Sequence, residues 1–155
     1  MPQPTEYHNF LTEVLETTAK SQGDKNRMYP LLEANQDKLD EVLQQILQAW
    51  GTETLGKSER KQANYLARVI GEFSNLIREF PLGSRAQNLE IAITGYEVVL
   101  SVWTREDFPV EWAQTQNNLG TAYSDRLQGD KAGNRELAIS CYQQALLILT
   151  KRIFL

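Results

Sequence analysis

An all-α fold is predicted for this 155-residue chain by three features of its sequence. Proline is rare, with 5 residues, glycine is modest, with 9, and Leu, Ala, Gln and Glu dominate. Apolar residues recur at spacings of three and four, the period of a helix face. A stretch of the second half recurs after a fixed interval, as in stacked helix pairs. The expected architecture is an α-solenoid of helix pairs preceded by an N-terminal helical segment, about seven helices in all.

The first helix carries Tyr7, Phe10, Leu11, Val14 and Leu15 on one face. Pro4 or Thr5 starts it and Gly23 stops it. Pro30 suits the first turn of the next helix, where a missing N–H goes unnoticed. Leu32, Leu39, Leu43, Ile46 and Trp50 trace its stripe, with a break near Asn35 and an end at Gly51. Residues 51–57 read as the joint of the chain, and Ser58 as the cap of the following helix. That helix runs through Leu66, Val69, Ile70, Phe73, Leu76 and Ile77 to Phe80, where Pro81 stops it. A helix over about 86–102 is apolar on several sides, as expected of one sandwiched between neighbours. After the turn 104–109, a helix carries Trp112, Ala113, Leu119, Ala122 and Tyr123, and a last one holds Leu137, Ala138, Tyr142, Ala145 and Leu149.

Composition excludes several functions. One Cys, Cys141, and one His, His8, rule out a disulfide framework and a thiolate zinc site. The net charge of −4 argues against a nucleic-acid surface. Residues 1–57 hold nine acids and five bases, whereas residues 58–155 hold eleven of each, so the whole imbalance sits in the N-terminal part. The longest apolar run, 145–149, is far short of a membrane span, and no basic-then-apolar leader opens the chain. A lone thiol and no leader give a cytoplasmic expectation.

The internal match is Asn-x-Glu-x-Ala-Ile-x-x-Tyr-x-x-x-Leu, read once from Asn88 to Leu100 and again from Asn134 to Leu146. The offset, 46 residues, also pairs Phe73 with Leu119, Leu76 with Ala122 and Gly83 with Gly129. The chain therefore divides into a lead-in, 1–57, and two helix pairs, 58–103 and 104–155, stacked as one unit.

Leu119-Gly120-x-x-Tyr123, followed by Ala138, Tyr142 and Ala145, resembles the tetratricopeptide repeat signature, whose usual length is about 34 residues. The longer unit here is similar to that of kinesin light chains, which share the Asn117-Asn118-Leu119 run. The segments Asn88–Ile93, Thr104–Pro109, Trp112–Gly120 and Asp125–Asn134 resemble tetratricopeptide proteins of cyanobacterial type that carry a caspase-like CHAT protease domain. The likeness covers residues 86–149 and extends in weaker form back to about 28. The first unit departs from it, with Phe73-Ser74 in place of Leu119-Gly120. The chain ends at Leu155 with no protease segment, so the resemblance lends no proteolysis. It implies a protein-binding scaffold whose first helices line a groove.

On that basis the expected groove residues are Arg68, Asn75 and Arg78 in the first unit, and Gln114, Asn117, Thr121 and Ser124 in the second. Asparagine amides both donate and accept, so they suit an extended peptide backbone. The competing reading is an ordinary solvated face. Trp103 and Trp112 are expected to pack around the turn with Phe108, His8 to be a bystander, and Cys141 to be a small buried hydrophobe. Paired acids such as Glu13 with Glu16, Asp37 with Asp40, and Glu106 with Asp107 read as solvated charges. No phosphate-cradling glycine motif occurs. Ile148, Leu149, Ile153 and Phe154 close the chain without a polar finish, marking a face that a further repeat or a partner would cover.

The function expected is a non-enzymatic protein–protein interaction module with no cofactor and no metal, binding a protein or peptide but neither nucleic acid nor membrane. It resembles the regulatory region of a CHAT-type protein. The alternative is a homodimer or structural module joined through the C-terminal helix face.

Overall fold

A computed structural model describes residues 1–154, with side chains through residue 150. The described residues form seven α-helices and one short 3₁₀ turn, with no strand. Helix α1 spans Pro4–Ser21, α2 Lys25–Ala34, α3 Glu41–Lys57, α4 Arg60–Glu79, α5 Arg85–Val99, α6 Pro109–Asp125 and α7 Lys131–Phe154. The 3₁₀ turn, Gln36–Lys38, sits at the expected break near Asn35.

Local chemistry sets the boundaries. Pro4 and Pro109 occupy first turns, where their missing N–H costs nothing. Asp24, Asp40 and Ser84 cap α2, α3 and α5 by accepting from backbone N–H groups two or three residues on. Phe80 is extended before Pro81, as the proline ring demands of the residue before it, and α4 ends there.

Three expected boundaries are corrected. Pro30 lies inside α2 and does not start it, because the Asp24 cap opens the helix six residues earlier. Gly51 does not end α3. It lies buried within that helix, where an added Cβ would stand 2.8 Å from Val98 Cγ1, so the glycine serves a close crossing with α5. Ser58 does not cap α4. It closes α3, donating its hydroxyl to the Thr54 carbonyl at 2.7 Å, and Glu59 takes the cap position of α4.

Helix α1 packs on α2, α3 and α4. Helices α3 and α4 enclose α5, α6 covers another side of α5, and α7 packs on α6. Burial of α5 follows from these three neighbours, and even Asn88 and Glu90 lie inside. The core runs without interruption from Tyr7 and Phe10 through Leu43, Ile70, Phe73 and Tyr96 to Leu119 and Cys141.

The 46-residue offset has a counterpart in atomic detail. Asn88 Nδ2 donates to the Leu82 carbonyl and Asn134 Nδ2 to the Gln128 carbonyl, both at 2.8 Å. Gly83 and Gly129 take φ of 77° and 79° at matching turns, a region glycine enters freely. The Tyr96 hydroxyl bonds Asn75 on the preceding helix, and the Tyr142 hydroxyl bonds Thr121.

The departure at Ser74 has a structural answer. At the α4–α5 crossing a Cβ on Gly95 would fall 1.9 Å from Ser74 Oγ. At the α6–α7 crossing a Cβ on Gly120 would meet the Tyr142 ring at 3.0 Å. The residues matched to Ser74 and Gly95 are Gly120 and Cys141. The glycine has changed helices, and each crossing keeps one.

Candidate functional site

A polar cleft of about 310 Å³ lies between α4 and α6. Arg68, Gly71, Glu72 and Asn75 line it from α4, and Glu111, Gln114, Thr115 and Asn118 from α6. Both sets run at spacings of three, four and seven, so each is one stripe of a helix facing the other. Tyr96 and Trp103 complete the lining.

The aromatic groups are held in place. Trp103 lies against Gly71 and donates its indole N–H to Asn64 Oδ1 at 2.7 Å. The Tyr96 hydroxyl donates to Asn75 Oδ1 at 2.5 Å and accepts from Arg78 Nε at 3.0 Å. Burial pushes the Tyr96 phenol up to about 12, despite the nearby Arg78 charge, so it stays a neutral donor. Burial also raises the Glu72 carboxyl above its ordinary range, with Arg68 opposing the shift.

Two amides on α6 differ from these fixed groups. Gln114 and Asn118 make no side-chain hydrogen bond among the described residues, and Asn75 commits only its carbonyl oxygen. Amide donors and acceptors thus face the cleft from both walls. A second cleft, between α1 and α4, is lined by Ala19, Gln22, Tyr65 and Val69, and shares Arg68 and Glu72 with the first. The two depressions meet on α4.

Of the expected groove residues, Arg68, Asn75 and Gln114 come together here. Arg78 is spent on Tyr96 and lies 3.7 Å from Glu79. Asn117 is exposed beside the cleft. Thr121 contacts the Tyr142 hydroxyl at 3.0 Å, and Ser124 lines a different hollow, between α6 and α7. The cleft adds Glu72, Trp103, Glu111, Thr115 and Asn118. Positions matched by the 46-residue offset point the same way from the first helices of the two pairs, α4 and α6, whereas a cleft needs stripes that point at each other. The signal was present in Glu111, Gln114, Thr115 and Asn118, which share one face of α6.

Elsewhere, Arg105 stacks over Trp112 and Arg60 over Phe108 near the turn. His8 is exposed on α1 and Cys141 is buried on α7, its thiol pushed up by burial. Asp40 departs from the solvated reading: it caps α3 and accepts the Tyr7 hydroxyl. Among the described residues no three potential metal ligands cluster, and no helix is long and apolar enough to cross a membrane. Ile148 and Leu149 are half-buried on α7, while Ile153 and Phe154 lie outside the residues whose side chains are described.

Comparison of the chain with protein-family models, curated proteins and solved structures finds no match.

Proposed function

We propose that this protein is a non-catalytic binding module that holds an extended segment of a partner protein in the α4–α6 cleft. The observation carrying this reading is the pair of facing stripes, with uncommitted amides at Gln114 and Asn118 opposite Asn75. An extended peptide offers one N–H and one C=O per residue, and side-chain amides satisfy both without reading sequence. Trp103 and Tyr65 supply apolar faces along the path. Arg68 and Glu72, where the two clefts meet, favour a segment carrying charges of both signs. The recurring hydrogen bonds of the two helix pairs support a tetratricopeptide-like scaffold, and the reading places it in the cytoplasm without a cofactor.

Selection of peptides from a random display library against the folded protein tests the proposal. Selected peptides should shift the tryptophan fluorescence, a shift that Trp103→Phe removes, and Gln114→Ala with Asn118→Ala should weaken them at least about tenfold with helicity unchanged by circular dichroism. Equal binding by the double variant, or no enriched peptide, would overturn it.

A further inference from the structure

The outer face of α7 is exposed, and forty-six residues earlier in the chain its counterpart on α5 is covered by α6. Where α6 covers α5, two ion pairs fix the contact. Arg126, at the end of α6, grips Glu90 of α5 with both arms, Nε to Oε1 at 2.7 Å and a terminal nitrogen to Oε2 at 3.2 Å. Asp125 meets Arg85, at the start of α5, at 3.5 Å. Farther along, the Tyr123 hydroxyl reaches Glu97 at 3.4 Å.

Forty-six residues later α7 repeats the receiving half of this contact. Lys131 stands for Arg85, Glu136 for Glu90, and Gln143 for Glu97. All three are exposed, and neither Lys131 nor Glu136 has an ion-pair partner among the described residues. An apolar position follows the same rule. Ile93, on the Glu90–Glu97 side of α5, is 4% exposed, whereas the matching Ile139 of α7 is 49% exposed. A hollow of about 340 Å³, lined by Lys131, Arg135 and Ile139 among others, opens there.

We infer that this face docks a helix of a separate partner protein whose chemistry copies that of α6. Such a helix carries small and apolar residues at spacings of three and four and ends on an acidic residue followed by a basic one. Charge complementarity selects it: the final base seats on Glu136 and the preceding acid on Lys131, with an arginine favoured for its two-pronged fit to a carboxylate. A second copy of this chain does not offer that helix. Among the described helices only α6 ends on Asp-Arg, and its face is already spent on α5.

Two arms test the inference. A synthetic peptide with the sequence of residues 109–130 is titrated against the full chain. It should bind, lose at least about tenfold in affinity on Glu136→Arg, and recover when the peptide positions of Asp125 and Arg126 carry Lys and Glu against a Lys131→Glu, Glu136→Arg chain. Because a free peptide must first form its helix, residues 110–155 are also duplicated after Leu155. This longer chain should melt roughly 5 °C above the parent, and Glu136→Arg should remove most of that gain while barely moving the parent. No gain in Tm, or a gain untouched by Glu136→Arg, overturns the inference. A concentration-dependent dimer of the parent that Glu136→Arg dissolves also overturns it, in favour of a second copy. Gln114→Ala and Asn118→Ala should leave both arms unchanged, so failure here and failure of the cleft proposal are separable.

Discussion

Arg126 shows how much one side chain decides. It joins three helices: it lies at the end of α6, grips Glu90 of α5 and donates to Asn134 Oδ1 of α7 at 3.1 Å. Glu90 is 5% exposed, and a carboxylate so deep is tolerable only while both oxygens are matched. Arg126→Ala should therefore cost about 3–5 kcal/mol in denaturant unfolding, since it strands a buried charge. Arg126→Met with Glu90→Leu should recover most of that loss, because apolar substitution removes the stranded charge as well. The first helix pair has Phe80 where the second has Arg126, and Asn88 Oδ1 is left buried without a partner while its counterpart Asn134 is satisfied. That orphan oxygen has a cost of about 1–3 kcal/mol.

At the scale of elements, the crossings are set by where the smallest residue stands. Gly95→Ala would drive a methyl into Ser74 Oγ, whose hydroxyl is already bound to the Ile70 carbonyl at 2.7 Å. Ser74 is fully buried, so α4 and α5 must separate, and a loss of about 1–3 kcal/mol in chemical denaturation is expected. Adding Ser74→Gly should return part of that loss, reduced by the ~1 kcal/mol that a mid-helix glycine costs. The double variant transplants the arrangement of the α6–α7 crossing. A full additive loss would show that the two crossings are not equivalent. The repeat was legible in the sequence because Asn, Ala and Tyr recur in register. The exchange of glycine between partners was not, since nothing local says which helix yields at a crossing.

For the molecule as a whole, three phenols mark a sensitivity to alkali. Tyr7, beside Asp40, and Tyr96 and Tyr123 are each pushed up to about 12, burial being the first cause in all three. The unfolded chain releases these protons near pH 10, before the folded protein does. The folded state thus binds more protons between pH 10 and about 12, and stability falls as pH rises through that window. Below pH 10 their contribution is whole. The unfolding midpoint should begin to fall near pH 9, where the unfolded Cys141 thiol loses its proton before the buried one does, and drop more steeply above pH 10. Tyr7→Phe should make the drop shallower, at the expense of the Asp40 hydrogen bond at neutral pH. A midpoint flat to pH 12 would contradict the assignment.

The sequence alone determined the all-α class, about seven helices, the start of α1 at Pro4, and the 46-residue recurrence. Each is written in period and local chemistry, which act within a few residues of chain. The resemblance put Arg68, Asn75 and Gln114 in a groove, and these three line the cleft, whereas Arg78, Asn117, Thr121 and Ser124 do not. Only the tertiary structure decided which stripes face each other. Glu72, Trp103, Glu111, Thr115 and Asn118 joined the cleft because α4 and α6 flank the end of α5 with those faces turned together. Gly51 looked like a helix end and proved to be a contact point with Val98. Helical period states which residues share a face, but the angle and distance between two helices come from side chains far apart in the chain. That packing fixes the cleft, the buried Arg126–Glu90 pair and the uncovered face of α7.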